Sequence, residues 1–430
     1  MKKLLSVFCA GIVWLSACKD VVIETTTETG TETSTHPNNG TTEKREIAQA
    51  RPIILQMQTR AILERNNSFS LDFFKAVAQK SDSTLFLSPY SISIALGMLY
   101  NGASGKTKEE IAKVLGMIDY TPEEINSYYQ ELTKALLEVD PNTSLSFANA
   151  IWAGKGIDLK PSFIALNKNY YDAEASTLDF SLPSALKTIN DWCNEKTKGT
   201  IPKILNSIDP TTLVILANAI YFYSFWTDDF DKSKTEEKPF YNHDGTTSKV
   251  YMMHQKPMEL LYTQMEGCGM VTLPYANRAF AMNLILPEEG EDIDTLIDDL
   301  NNETWQTMMH HRAYTKVTLS MPRFKIENEM NLKTTLAALG MPSAFSFDAD
   351  FSEMFENKIQ ASVSKVIQKS YISVDEAGTE AAAVTLSVLI ANGYPHTPAE
   401  VMMVFDRPFI FAITEQSTGA ILFMGKVAKL

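Results

Sequence analysis

Apolar side chains recur at three- and four-residue intervals early in the chain and in nearly continuous runs later. Phe69, Leu71, Phe73, Phe74, Val77 and Ala78 fall at helix spacing. Thr121-Pro122-Glu123-Glu124 pairs a capping residue with proline at the first helical position, predicting a helix through Leu137. Residues 185–198 predict another, stopped by Gly199. Strand-like runs then dominate at 213–225, 270–275, 280–286, 317–321 and 405–413. Helices first and strands mostly later, with hairpin-like returns, predict an α+β fold. Between Ile47 and Leu430 there is no Pro/Gly/Ser-rich break and no internal repeat, so residues 47–430 are read as one large domain.

The first 46 residues follow a different pattern. A basic start, Met1-Lys2-Lys3, precedes an almost wholly apolar stretch at 4–15, the architecture of a signal peptide. Leu15-Ser16-Ala17-Cys18 has the form of a bacterial lipobox, which predicts cleavage after residue 17 and lipidation of Cys18. A plain secretory signal with an incidental cysteine is the alternative. Residues 18–46, rich in Thr and Glu, hold too few apolar groups to offset the entropy of ordering and are read as a flexible tether. An outer-membrane lipoprotein, facing the cell surface or the periplasm, is the expected location, with the lipid as its only membrane contact.

Composition narrows the chemistry by exclusion. With 45% hydrophobic and 21% charged residues the chain is ordinary globular protein, and its formal charge of −14 argues against a nucleic-acid partner. Removal of Lys2 and Lys3 would take that charge to −16. Cleavage at Cys18 would leave Cys193 and Cys268 in the body, enough for one optional disulfide but for no cysteine-based metal site. No G-x-S-x-G, H-E-x-x-H or strand-linked G-x-G-x-x-G occurs. Gly105-Lys106-Thr107 ends like a phosphate loop, but Tyr100 occupies the first glycine position, so a turn before a helix is the better reading. His310-His311 reads as a solvated helix end and 288–292 as a solvated acidic turn without EF-hand spacing. No catalytic constellation, metal or cofactor is expected.

One segment stands apart. From Thr379 alternate positions carry Thr379, Ala381, Ala383, Thr385, Ser387, Leu389 and Ala391. If extended, one face is almost entirely small, which a strand needs to slip between two others over a filled core. Gly378 at its start permits a hinge, and 392–399 has the composition of an exposed loop. An Ala-rich surface helix is the competing reading. A segment with access to both states is a switch candidate.

Here the chain resembles a known family. Glu376, Ala377, Gly378, Thr379, Glu380, Ala381, Ala382 and Ala383 resemble the hinge of the serpins, and Phe405-Asp406-Arg407-Pro408-Phe409 resembles the signature after their reactive loop. In order, Phe86-Leu87-Ser88-Pro89, Leu216-Ala217-Asn218-Ala219, Trp226, Leu319-Ser320-Met321-Pro322-Arg323-Phe324 and Leu422-Phe423-Met424-Gly425 agree, over about residues 69–430. The resemblance implies a serpin fold of three β-sheets and eight or nine α-helices, with an exposed reactive-centre loop at about 376–404. It also implies a monomer that inhibits a serine protease as a suicide substrate and is not itself an enzyme. A non-inhibitory relative or a glycan- or peptide-binding surface lipoprotein is the alternative.

Counting from the hinge as in inhibitory relatives puts the reactive bond at Asn392-Gly393, with Leu389, Ile390, Ala391 and Tyr394 as alternatives because the loop is longer than in many serpins. No Lys or Arg occurs from Ser370 through Asp406, which disfavours trypsin-like targets. Elastase-, subtilisin- or chymotrypsin-like proteases suit the apolar residues, and a cysteine protease cutting after Asn is a further candidate. Ser88, Ser91, Asn218 and Gln368 take the positions beneath the sheet opening. Gln368 stands where many serpins carry His, so a pH-sensitive opening is not expected. The helix at 121–138 has more acids than bases, against polyanion activation.

Overall fold

The computed structural model describes residues 47, 50–357, 360–379 and 400–430. Contacts gather Lys44–Leu430 into one compact unit. In chain order it begins with helix α1 (Met57–Ala78), strand β1 (Leu85–Leu87), α2 (Pro89–Gly102), α3 (Gly105–Val114) and α4 (Pro122–Glu138). Next come β2 (Ser144–Gly154), α5 (Pro161–Tyr171), β3 (Glu174–Leu178), α6 (Pro183–Lys196) and β4 (Val214–Phe225). A strand-rich middle holds β5 (Glu236–Tyr241), β6 (Thr247–Met265), β7 (Cys268–Pro274) and β8 (Phe280–Pro287). Two short helices, α7 (Ile293–Asp299) and α8 (Asn302–His310), lead to β9 (Ala313–Pro322), β10 (Phe324–Asn331) and α9 (Lys333–Leu339). The chain closes with β11 (Val363–Asp375), β12 (Gly378–Thr379), β13 (Val401–Val404), β14 (Phe409–Glu415) and β15 (Ile421–Val427).

Local chemistry accounts for the main boundaries. Thr121 and Glu124 close a reciprocal capping box at the start of α4. Ser88 caps α2, accepting from the Ser91 amide, with Pro89 at the first helical position. The strand expected over 405–413 is interrupted. β13 ends at Val404 and β14 begins at Phe409, because the Asp406 carbonyl accepts from the Tyr241 amide and Pro408 has no N–H for a ladder.

The strands join into a six-stranded sheet in the order β10-β11-β12-β4-β2-β3 and a nine-stranded network. That network turns about the long β6. Its first part pairs with β5 and β9, its end pairs with β7, and the register breaks between Gln255 and Met258, where Pro257 lacks a donor. Where the resemblance implied three sheets, the described strands join into two hydrogen-bonded sheets, because the long β6 changes partners along its length and links both parts of the larger one. On β4, Val214, Leu216, Ile220 and Phe222 face the main core, which includes Leu96 and Leu99 of α2. Ile215, Ala217 and Ala219 face a second core with Trp192 of α6. This period-two division covers the six-stranded sheet on both faces.

Candidate functional site

The six-stranded sheet is unevenly closed along one seam. β11 and β4 run parallel and pair directly from Val363 opposite Val214 to Lys369 opposite Ala219. Their direct register stops there. At the far end β12 sits between them, with Thr379 opposite Val374 on one side and Ser224 on the other. Among the described residues, 370–373 of β11 and 220–223 of β4 thus flank a wedge that β12 enters at its mouth.

A cluster of bonds fixes the mouth. The buried Glu376 carboxylate, 1% exposed, accepts from Arg323 Nε at 2.7 and 2.8 Å, pairs with Arg323 Nη2, and accepts from Thr235 Oγ1. Burial alone would raise the Glu376 pKa, but the bonds from Arg323 and Thr235 outweigh it and hold the carboxyl below the ordinary glutamate value. Arg323 lies over the Tyr251 ring. The Trp226 indole donates to Asp375 O at 2.9 Å and its amide to Ala377 O at 2.9 Å. Trp226 stacks on Tyr275 with centroids 4.4 Å apart. The Tyr275 hydroxyl meets Thr379 Oγ1 at 2.7 Å, and Thr379 is 1% exposed. Gly378 has φ +149°, and a Cβ there would lie 2.3 Å from Ser224 O.

A second network crosses the seam where direct pairing ends. Gln368, Asn218 and Asn149 stand opposite one another on β11, β4 and β2. Gln368 Nε2 donates to Asn218 Oδ1 at 2.8 Å, and Asn218 Nδ2 donates to Asn149 Oδ1 at 2.7 Å. Beneath the row, the Ser88 amide donates to Gln368 Oε1 at 3.1 Å and Gln368 Nε2 donates to Ser88 O at 3.0 Å. Asn218 Nδ2 also donates to Ser91 Oγ. Ser88, Ser91, Asn218 and Gln368 are therefore brought together on the capped start of α2, all buried.

Other expected positions are placed as follows. Glu376, Gly378 and Thr379 line the mouth. Glu380, Ala381, Ala382 and Ala383, the bond candidates Leu389, Ile390, Ala391, Asn392, Gly393 and Tyr394, and Cys18 lie outside the described residues. Cys193 and Cys268 are unpaired and buried, in different cores, and burial pushes their thiols up to about 12 and about 11. The sequence did not single out Asn149, Thr235 or Tyr275; Arg323 entered only within a larger motif and Trp226 only as one matching position. Asn149 and Tyr275 owe their roles to register and stacking, which leave no linear trace.

A family model described as Serpin (serine protease inhibitor) matches residues 64–430. The chain belongs to the serpin family. Among similar serpins, an uncharacterised serpin-like protein of Thermococcus kodakarensis is 33% identical over 381 residues, 87% of each chain. Human leukocyte elastase inhibitor is 34% identical over 375 residues, 84% of this chain and 97% of that protein. The structure of Tengpin, a thermophilic serpin solved in its native state, superposes with a TM-score of 0.80 at 32% identity, covering 89% of this chain and 98% of that one. Human thyroxine-binding globulin, solved in complex with thyroxine, gives 0.78 at 30% identity, covering 86% and 99%. Proteins similar to this chain thus include one named as a protease inhibitor and one named for a hormone.

Proposed function

We propose that this serpin is a suicide inhibitor of serine proteases of the elastase, subtilisin or chymotrypsin class. The observation that carries the reading is the wedge between β11 and β4, with β12 already paired at its mouth. The target's serine attacks a bond in the loop between 389 and 394, Asn392-Gly393 being the first choice, and forms an acyl-enzyme. The severed segment then zips into the wedge from Thr379 onward, which the small residues Thr379, Ala381 and Ala383 allow. About 14 residues at ~3.3 Å each would move the acylated end ~45 Å, far enough to drag the protease across a domain of this size and distort its active site before hydrolysis. Ladder bonds formed as the segment inserts supply the driving force. Family relatives named as elastase inhibitors support this reading, as does the absence of Lys and Arg from Ser370 through Asp406. The lipidated Cys18 and the 18–46 tether would hold the 47–430 domain at the outer membrane of a bacterium, where secreted proteases arrive.

Incubation with pancreatic elastase, followed by a denaturing gel, tests the proposal. A stable band near the summed masses is the expected outcome, and mass spectrometry of the released C-terminal peptide fixes the cut bond. Nicking without a stable adduct would overturn the inhibitory reading for this class. Thr379→Arg should convert the inhibitor to a substrate, because a cation at this buried, Tyr275-bonded position opposes entry into the sheet. Adduct formation undiminished in that variant would refute insertion as the trapping step.

A further inference from the structure

Away from the seam, four carboxylate and imidazole side chains from three distant segments converge. Asp82 lies in the connection between α1 and β1, His243 in the turn between β5 and β6, Asp292 caps α7, and Asp294 is in the first turn of α7. One ligand atom each from Asp82, His243 and Asp294 lies within 4.8 Å of the other two. His243 Nε2 is 3.3 Å from Asp294 Oδ2 and 3.5 Å from Asp292 Oδ1. The edge between two ligands of a tetrahedral ion with bonds of about 2.0–2.1 Å is roughly 3.3–3.4 Å. The imidazole and its two flanking carboxylates are therefore already spaced as neighbouring ligands.

The surroundings hold the groups in place. The His243 amide donates to Ala428 O at 2.9 Å, and the next residue, Asp244, is neutralised by Lys429 at 2.7 Å. The buried Lys426 ammonium donates to Ala78 O at 3.1 Å and Ser81 O at 2.6 Å. It approaches Asp294 through Oδ1 at 3.7 Å, leaving Oδ2 toward His243. Asp82, Asp292 and Asp294 against Lys426 leave a formal charge of −2, the complement of one dication. We propose that Asp82, His243 and Asp294 form a binding site for a divalent d-block cation of the zinc type, with solvent completing its shell. An imidazole nitrogen among carboxylates selects such ions over magnesium and calcium, which take all-oxygen shells. Bound there, the ion staples the α1–β1 connection, the β5–β6 turn and the start of α7 beside the C-terminal strand β15.

The test uses the full chain without a polyhistidine tag, stripped with EDTA and titrated with zinc chloride by calorimetry. Saturable binding of a single ion is expected, weakened by about tenfold or more in His243→Gln and in Asp294→Asn. His310→Ala/His311→Ala should leave it unchanged, and excess magnesium should not compete. On the unaltered protein, zinc should slow diethylpyrocarbonate modification of His243, mapped by mass spectrometry, so the outcome does not depend on any variant folding. Unsaturable binding, undiminished affinity in His243→Gln, or an unprotected His243 would each overturn the site.

Discussion

Glu376 shows how a single buried charge can hold a moving part. Its carboxylate is reached by Arg323 and Thr235 from two other segments, and it sits at the start of the segment proposed to enter the sheet. Because its folded pKa is depressed, the stability it contributes is present above the unfolded glutamate value of ~4.3 and is lost as pH falls through the lower folded value. The melting temperature should therefore drop more steeply below about pH 4 in the wild type than in Glu376→Gln, and parallel slopes would refute the assignment. At neutral pH the same substitution should cost about 1–3 kcal/mol, read by denaturant unfolding, through the loss of charged hydrogen bonds. Gln368 is the second decisive residue. Gln368→Ala would strand the Ser88 amide and Asn218 Oδ1 in the core, while Ser88 O keeps the Ile92 amide. Each unmet group costs on the order of 1–3 kcal/mol, so a clear fall in melting temperature is expected. Because the amide does not titrate, the rate of adduct formation should not acquire a pH dependence from this position between pH 6 and 8, whereas Gln368→His should introduce one.

At the scale of elements, the two-residue β12 carries more consequence than its length suggests. Gly378 lets the chain pass so close to Ser224 and Phe225 that any Cβ collides with backbone. Gly378→Ala should push β12 out of the mouth, at about 1–3 kcal/mol in strain. Faster amide exchange at Ser224, Phe225 and Val374 is the signature to look for, and unchanged exchange there would show that β12 is not held by this close approach. α2 plays the opposite part. Its capped start supplies Ser88 and Ser91 to the Gln368–Asn218–Asn149 row, which lies one residue short of the last direct pair between β11 and β4. A strand inserted past this level must break the Gln368–Asn218 bond, so the row works as a clasp on the seam.

For the whole molecule, direct pairing of β11 with β4 ends, among the described residues, at Lys369 opposite Ala219, and β12 contributes only Gly378 and Thr379, so a longer inserted strand would add ladder bonds beyond those of β12. A protease that merely nicks the loop should let the segment insert and raise the melting temperature. With some ten new ladder bonds at ~1 kcal/mol each, the rise should be on the order of 10 to 30 °C by calorimetry. A nicked form that melts at or below the intact form would remove the stored-strain account.

Much of this was legible along the chain because it depends on local chemistry. Period-two and helical patterns, the capping box at Thr121, the Gly378 hinge and the small residues after it follow from short-range preferences, and the ordered motifs carried the family resemblance. The interruption at Phe405–Pro408 escaped because it depends on a bond to Tyr241 on another strand. The roles of Asn149, Tyr275 and Thr235 escaped for the same reason, since a partner hundreds of atoms away leaves no period to detect. The sequence by itself determined the elements, the family and a segment able to become a strand. Only the tertiary structure decided where β12 pairs, which amides cross the seam, and that Asp82, His243 and Asp294 meet, because register and chain crossing set distances that linear spacing does not encode.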